Sequence, residues 1–242
     1  MAMIADNIGT VRRRMNDACL AAGRPVQSVT LLCVSKTAPA AAVRQAHEAG
    51  ECHFGENHAQ EGLAKIDALA DLRSRLTWHM IGPIQSNKTR LIAEHFDWVH
   101  SLDRIKVAQR LAEQRPAGRE PLQICVQINI SGEASKAGVA PADAGAFAHA
   151  VRGLPGLRLR GLMSIPQPAL AVSEQRVAHR ALRELLQRLN LDGMALDTLS
   201  MGMTADLEAA ILEGATMVRV GTAIFGRRQP AAVLAQSGGS QA

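Results

Sequence analysis

Short, continuously apolar runs alternate along the chain with longer segments in which apolar residues recur at helical spacing. Continuous apolarity is typical of strands in a parallel sheet that is covered on its outer face. We therefore predict eight strands, with a helix after each of the first seven. The predicted strands cover residues 29–34, 52–54, 76–81, 98–99, 122–130, 157–163, 198–201 and 217–220. The predicted helices cover residues 40–49, 59–69, 87–95, 104–114, 141–151, 173–189 and 205–213.

Eight strand–helix units in a chain of 242 residues predict the α/β class and, within it, a single (β/α)8 TIM barrel. Ile4, Ile8 and Val11 recur at helical spacing and indicate an additional N-terminal helix, which we expect beside the last strand. The alternative is an open doubly wound sheet, but the turn at residues 35–39 lacks the glycines of GxGxxG. We expect one domain over residues 1–228 and a flexible C-terminal tail at residues 229–242.

Composition narrows the classes of function. The chain is 47% hydrophobic and 20% charged, as in globular proteins. It contains no tyrosine and only 2% aromatic residues, which excludes a tyrosine acid or base within the chain and disfavours a stacking surface for single-stranded nucleic acid. The net charge is +5, yet the densest basic run, Arg12 to Arg14, lies on the predicted N-terminal helix near Asp6 and Asp17. We interpret this run as a solvated helix face and expect no nucleic-acid partner.

Cysteine spacing and run length predict the environment of the protein. The four cysteines form neither CxxC nor a zinc spacing, and no histidine motif or carboxylate cluster accompanies His79, so no metal site is expected. No apolar run approaches the about 18 residues that a membrane span requires. The N-terminus lacks a signal-peptide apolar block. We expect a cytoplasmic monomer with no membrane partner.

Polar residues follow most of the predicted strands, at the barrel face where active sites form. Lys36 comes directly after the first strand. Burial and nearby positive charge would lower the pKa of its amine and free it to attack a carbonyl. A strand-end lysine that reaches solvent is an equally good interpretation of the position alone. Glu56, His100 and Asp103 are weaker acid–base candidates, for which hydrogen bonds at the rim are the favoured role.

The end of the chain predicts an anion site. Thr204 is a suitable N-cap for the helix at 205–213, and Gly202 would let the backbone approach a ligand closely. Gly221 and Thr222 follow the last strand, and the loops after strands seven and eight are the usual phosphate site of this fold. Arg219 lies two residues before Gly221, so both are on one side of the strand, where the arginine meets a ligand or a buried partner.

Five short motifs, taken in order and spacing, resemble one known family. They are Val-Ser-Lys-Thr at 34–37, Phe-Gly-Glu-Asn at 54–57, His-Met-Ile-Gly at 79–82 with Gln-Ser-Asn-Lys at 85–88, Ser-Met-Gly-Met-Thr at 200–204 and Val-Arg-Val-Gly-Thr at 218–222. From residue 29 to residue 226 the chain resembles the pyridoxal phosphate homeostasis protein family. One residue departs from the family pattern: His58 follows Asn57, where the family leads us to expect a tyrosine.

The resemblance implies a barrel similar to the N-terminal domain of alanine racemase, with pyridoxal 5'-phosphate (PLP) held as a Schiff base on Lys36. It implies that Arg219 faces the pyridine nitrogen and that Asn57 and His79 line the cofactor. It implies a phosphate site made by Ser200, Met201, Gly202, Thr204, Gly221 and Thr222. Its implied function is PLP homeostasis, by buffering the cofactor or delivering it to PLP-dependent apo-enzymes, without an assigned catalytic residue.

Other functions remain open. A PLP-dependent amino-acid racemase or lyase would need a base such as His79 or Lys36. A PLP-independent aldolase would use Lys36 against a sugar-phosphate carbonyl. An arginine at the ring nitrogen disfavours the protonated ring that carbanion chemistry commonly uses, which favours a carrier. Lys136, in the loop at 132–138, is a weaker candidate for transient PLP binding during transfer.

Overall fold

The computed structural model describes residues 2–133 and 136–226. Its eight strands are parallel and close into a barrel in chain order, which confirms the predicted (β/α)8 fold. The tail predicted at 229–242 lies outside the described residues. The strands are β1 (Thr30–Val34), β2 (His53–Glu56), β3 (Thr77–Met80), β4 (Trp98–Leu102), β5 (Leu122–Gln127), β6 (Leu157–Met163), β7 (Thr198–Ser200) and β8 (Met217–Val220).

Helices surround this barrel. In the described part of the chain they are α1 (Ala2–Ala21), α2 (Ala40–Glu48), α3 (Ala59–Ala68), α4 (Thr89–His95), α5 (Ile105–Gln114), α6 (Ala144–Arg152), α7 (Val172–Leu191), α8 (Leu207–Leu212) and α9 (Thr222–Phe225). The main apolar core lies between the strands and these helices. Within residues 2–133 and 136–226, no helix is both long and apolar enough to cross a membrane.

The closing pair of strands brings the two ends of the sequence together. Cys33 of β1 is in register with Phe54 of β2 on one side and with Val220 of β8 on the other. The residues after β1 and after β8 therefore leave the barrel side by side. A Cβ on Gly221 would lie 3.0 Å from the Val34 carbonyl oxygen, closer than most Cβ contacts, so a glycine eases the approach of the two strand ends.

The N-terminal helix forms part of the outer ring, as expected. It packs against α2, α8 and α9, and Ile4, Ile8 and Val11 are buried there. Its basic run is only partly a solvated face. Arg12 forms an ion pair with Glu51 at 2.6 Å, and Arg14 forms one with Glu208 at 2.7 Å, so two of the three arginines tie the helix to its neighbours.

Two element boundaries near the site, and one additional helix, differ from the prediction for identifiable reasons. β4 continues through His100 to Leu102, because its polar residues are buried inside the protein rather than marking a loop. The helix expected at 205–213 is shorter and begins at Leu207, with Asp206 rather than Thr204 at its N-cap position. The short helix α9 after β8 was not predicted, since its four residues carry no helical periodicity.

Candidate functional site

Lys36 lies at the carboxyl end of β1, at the mouth of the barrel. The sheet pairing extends to the residue before it, since the Ser35 N–H donates to the Gly55 carbonyl at 3.0 Å. Side chains alternate along a strand, and the outward positions of β1 belong to the main core, so Lys36 falls on the inward side. Its side chain is exposed there. The next residue, Thr37, has a φ of 65°, which is rare for a β-branched residue.

An ionic cluster lies behind this strand end, between the barrel wall and α3, with two of its three members buried. We call its three members, Glu56, Glu61 and Lys65, the Lys65 cluster. The Lys65 ammonium donates to Glu56 Oε1 and to Glu61 Oε1, both at 2.8 Å, and to the Ser35 carbonyl at 2.6 Å. The Ser35 hydroxyl donates to Glu56 Oε1 at 2.5 Å. The cluster therefore contacts the residue that directly precedes Lys36.

The cluster also reaches the residue that follows Lys36. The Thr37 N–H donates to Glu61 Oε1 at 2.5 Å. Burial opposes ionisation of Glu61, but the hydrogen bonds from Lys65 and Thr37 hold the pKa of this carboxyl below its ordinary value. Burial raises the pKa of Glu56, against the opposing effect of Lys65. Sequence reasoning missed Lys65 because a lysine four residues after a glutamate is the usual pattern of a surface helix pair.

Polar side chains form a continuous hydrogen-bonded chain inside the barrel. Arg219 of β8 is 4% exposed and donates through its NH1 group to the Ser200 hydroxyl at 2.9 Å and to the Ser200 carbonyl at 2.7 Å. Nδ1 of His100 lies 2.8 Å from the same hydroxyl. His79 follows, with its Nδ1 2.9 Å from Nε2 of His100, and then His53, whose Nδ1 lies 3.0 Å from Nε2 of His79. We call these five residues the barrel chain.

Arg219 and Ser200 together set the direction of the hydrogen bonds in the barrel chain. A guanidinium can only donate, so the Ser200 oxygen accepts from Arg219. Among the described residues, Nδ1 of His100 is the remaining partner of this buried hydroxyl, and we assign the Ser200 proton to that bond. His100 then carries its proton on Nε2 and donates to His79, which donates in turn to His53. All three imidazoles are therefore assigned to the neutral Nε2–H tautomer. His100 and His79 each make two hydrogen bonds along the chain, and His53, at its end, makes one.

The barrel interior keeps these histidines uncharged. Burial, with the positive charge of Arg219 as the next cause, lowers the pKa of His100 to about 3. Burial also lowers the pKa of His79 well below its ordinary value, and it lowers the pKa of Arg219 to about 10. His79 stacks on Trp98, with ring centroids 5.5 Å apart. His79 thus lies within the barrel rather than at its open rim.

The residues predicted to bind an anion fall on two adjoining loops. Gly202 has a φ of 90°, and its carbonyl accepts the Arg219 N–H at 2.9 Å. Thr204 is half-buried, and its carbonyl accepts from Arg14 at 2.8 Å. Gly221 and Thr222 begin α9, where the first N–H groups of a helix have no intrahelical acceptor. These groups line the mouth of the barrel beside the end of β1.

Two other members of the predicted phosphate set are already engaged. The Ser200 hydroxyl belongs to the barrel chain. The Met201 side chain packs in the main core, and its N–H donates to the Met217 carbonyl at 3.1 Å. In this structure the Ser200 side chain therefore holds Arg219 in place. Met201 packs its side chain into the core, so only its backbone lies near the anion loops.

Asn57 follows β2 at the rim, on the far side of Lys36 from Gly221. Its carbonyl is closely approached by Gly82, where a Cβ would lie only 2.1 Å away. A cavity of about 240 Å³ opens beside it, with Gln85 and Lys88 in its wall. Lys36 and the two anion loops thus gather at one mouth with Asn57 at its edge, while Arg219 and His79 lie beneath.

Two further predictions concern a metal site and Lys136. No group of three or more His, Cys, Asp or Glu side chains in residues 2–133 and 136–226 is arranged to hold a metal ion. Lys136 pairs with Glu133 at 2.6 Å, in a loop of which residues 134 and 135 lie outside the described part. His53 was missed by the sequence reasoning. Side chains alternate along a strand, so His53 lies on the same face of β2 as Gly55, and this alternation could have identified it.

Comparison with known proteins gives concordant matches. The family model for the N-terminal domain of alanine racemase matches residues 3–229. A protein of Pseudomonas aeruginosa named pyridoxal phosphate homeostasis protein is 63% identical over 228 residues, which is 94% of this chain and 97% of that protein. The structure of PipY from Synechococcus elongatus with PLP bound is 38% identical, covers 92% of this chain and 100% of that chain, and has a TM-score of 0.80.

A more distant match shows the fold alone. Alanine racemase from Corynebacterium glutamicum is 17% identical with a TM-score of 0.66, and the match covers 96% of this chain and 63% of that one. Barrel and rim together define the class, a barrel of the alanine racemase N-terminal type. Within it, the chain belongs to the pyridoxal phosphate homeostasis protein family. The family resemblance of the sequence motifs is thereby confirmed.

Proposed function

We propose that this protein holds PLP as a Schiff base on Lys36 and takes part in intracellular PLP homeostasis, by buffering the cofactor or delivering it. The observation that carries the proposal is the meeting of Lys36 with the Gly221–Thr222 turn at one barrel mouth, through the β1–β8 register. Relatives that bear the homeostasis name, and the PLP-bound PipY structure, support it.

The residues at the mouth fit the three functional groups of PLP. Lys36 offers an exposed primary amine for the aldehyde. The start of α9 and the Gly202 loop offer backbone N–H donors and space for the phosphate. Arg219, held below by Ser200, offers a donor-only group for the ring nitrogen. We propose that Asn57 contacts the cofactor at the rim and that His79 acts from beneath, through the barrel chain.

Bound PLP supplies an aldehyde and an electron-withdrawing ring. Lys36 would hold the group, because its primary amine can condense with that aldehyde with loss of water. Arg219 keeps all its protons, since its pKa is still about 10 despite burial. A guanidinium beside the ring nitrogen has no lone pair that could accept a proton from it, so it would favour the unprotonated ring, which suits storage better than carbanion chemistry.

The second candidate function is a PLP-dependent amino-acid racemase or lyase. The structure gives this candidate little support through His79. Both its nitrogens are bound within the barrel chain, and its pKa is held well below the ordinary value. With no tyrosine in the sequence, Lys36 itself would have to move the proton. We therefore propose a carrier role, in which a cytoplasmic monomer delivers PLP to PLP-dependent apo-enzymes.

Absorption spectroscopy with borohydride trapping tests the proposal. Protein mixed with PLP should develop a band near ~420 nm, and reduction followed by peptide mapping should place the cofactor on Lys36. Lys36→Ala should lose both signals, whereas Lys106→Ala, on the exposed face of α5, should keep them. A trapped adduct that persists in Lys36→Ala at the wild-type level would overturn the assignment. Exchange of the α-hydrogen of free amino acids for deuterium would instead favour the enzyme.

A further inference from the structure

The chain segment that carries Lys36 is held on both sides by the Lys65 cluster. The Ser35 carbonyl and hydroxyl contact Lys65 and Glu56, and the Thr37 N–H contacts Glu61. Both backbone groups that flank the exposed lysine are thus tied to charged side chains, the buried Lys65 on one side and the part-exposed Glu61 on the other. The lysine itself takes no part in these contacts.

The conformation at Thr37 requires such support. Its φ of 65° is left-handed, a region that a β-branched residue avoids because its Cβ crowds the following carbonyl. The hydrogen bond from its N–H to Glu61 holds the peptide in this orientation. Without it, the segment would relax toward ordinary backbone angles, and the direction in which Lys36 leaves the strand would change.

Stability alone does not account for the Lys65 cluster. The Lys65 and Glu56 side chains are 7% and 0% exposed, and removing such charges from water costs more than apolar packing of the same volume. Glu56 Oε2 also finds no hydrogen-bond partner among the described residues. We explain this unfavourable burial of charge by what the cluster contacts, which is the backbone on either side of Lys36.

We propose that Glu56, Glu61 and Lys65 are positioning residues, which hold Ser35 and Thr37 so that the Lys36 amine points into the barrel mouth. The proposal rests on the proposed function, because its purpose is to present this amine to the PLP aldehyde. The three side chains lie on the outer side of the barrel wall and would act through Ser35 and Thr37.

Glu61 is the member to change, because it is part-exposed and its loss leaves Glu56 and Lys65 paired. Glu61→Ala removes the acceptor for Thr37, and we expect PLP to bind about tenfold more weakly, the factor that corresponds to the ~1–2 kcal/mol strain of a left-handed residue. Glu61→Gln keeps an acceptor oxygen and should stay within about threefold of wild type. The control is Asp71→Ala, which removes an exposed ion pair with Arg44.

Thr37→Gly separates positioning from general stability. Glycine adopts the left-handed region without strain, so Thr37→Gly added to Glu61→Ala should restore PLP binding to within about threefold of wild type. A merely structural role for Glu61 would leave the double variant as weak as Glu61→Ala. Amide hydrogen exchange in the cofactor-free protein should show faster exchange at residue 37 in Glu61→Ala and unchanged exchange in Asp71→Ala.

The outcomes distinguish the two proposals. Wild-type protein that forms no Lys36 adduct overturns the proposed function. Wild-type protein that forms it, with Glu61→Ala binding PLP equally well or with no rescue by Thr37→Gly, overturns the positioning role and leaves the function standing. Weaker binding in Glu61→Ala with rescue by both Glu61→Gln and Thr37→Gly is the result that the Lys65 cluster predicts.

Discussion

Acid is expected to destabilise this protein through the histidines of the barrel chain. His100 is fully buried, its Nδ1 accepts the Ser200 proton, and its Nε2 donates to His79. A second proton on His100 would place a donor against the Ser200 hydroxyl and a charge beside Arg219. The folded protein therefore resists protonation at a site that the unfolded chain protonates readily.

The size of the effect follows from the pKa of His100, which falls from 6.5 to about 3 on burial. Because the pKa is lower in the folded state, the stabilisation is complete above the unfolded value and is lost as the pH falls toward the folded value. Each pH unit in this window costs about 1.4 kcal/mol for one group. A shift from about pH 7.5 to about pH 5 therefore removes about 2 kcal/mol through His100 alone. His79, whose pKa is lowered in the same direction, adds a loss of the same sign.

Urea denaturation at the two pH values measures this loss. His100→Gln retains a donor and an acceptor but does not titrate, so its unfolding free energy should fall by about 2 kcal/mol less than that of wild type. His149→Gln, on the exposed face of α6, is the matched control. Parallel pH profiles for wild type and His100→Gln would refute the reasoning, since they would show that protonation of His100 does not report on folding.

Two further predictions concern the anion loops. Gly202→Ala should lower the unfolding free energy by about 3 kcal/mol, because the residue has a φ of 90° and its new Cβ would lie 2.5 Å from that of Ala210. Adding Ala210→Gly should recover only the part of this loss that is due to overlap of the two Cβ atoms. Urea denaturation measures both changes. Arg14→Ala should weaken PLP binding about threefold by releasing the Thr204 carbonyl. The neighbouring Arg13→Ala should leave the dissociation constant unchanged, and equal effects of the two substitutions would contradict this account.

The barrel itself was predictable because its strands are local, apolar and bounded by polar turns. β8 was predicted with the bounds that the structure shows, and the position of Lys36 after β1 needed only the end of one apolar run. The pairing of β1 with β8 could be predicted too, because closure of the barrel places the first strand beside the last. Helix α8 was harder, because Thr204 and Asp206 are both good capping residues and sequence does not decide between them.

The networks around the site depended on contacts that the sequence does not encode locally. Alternation predicts that His79 and His100 face inward, but their hydrogen bond depends on the relative heights of two strands. Lys65 resembles a surface residue until Glu56 and Ser35 are both known to point outward toward α3. Register and burial, rather than residue type, decided these contacts.

The seam between β1 and β8 has a consequence for how the protein is made. During synthesis the amine of Lys36 leaves the ribosome early, whereas Gly221 and Thr222 emerge near the end. If the proposed site is correct, an unfinished chain carries the amine without the turn that would bind the phosphate. Retention of the vitamin would then begin only when translation has run almost to completion.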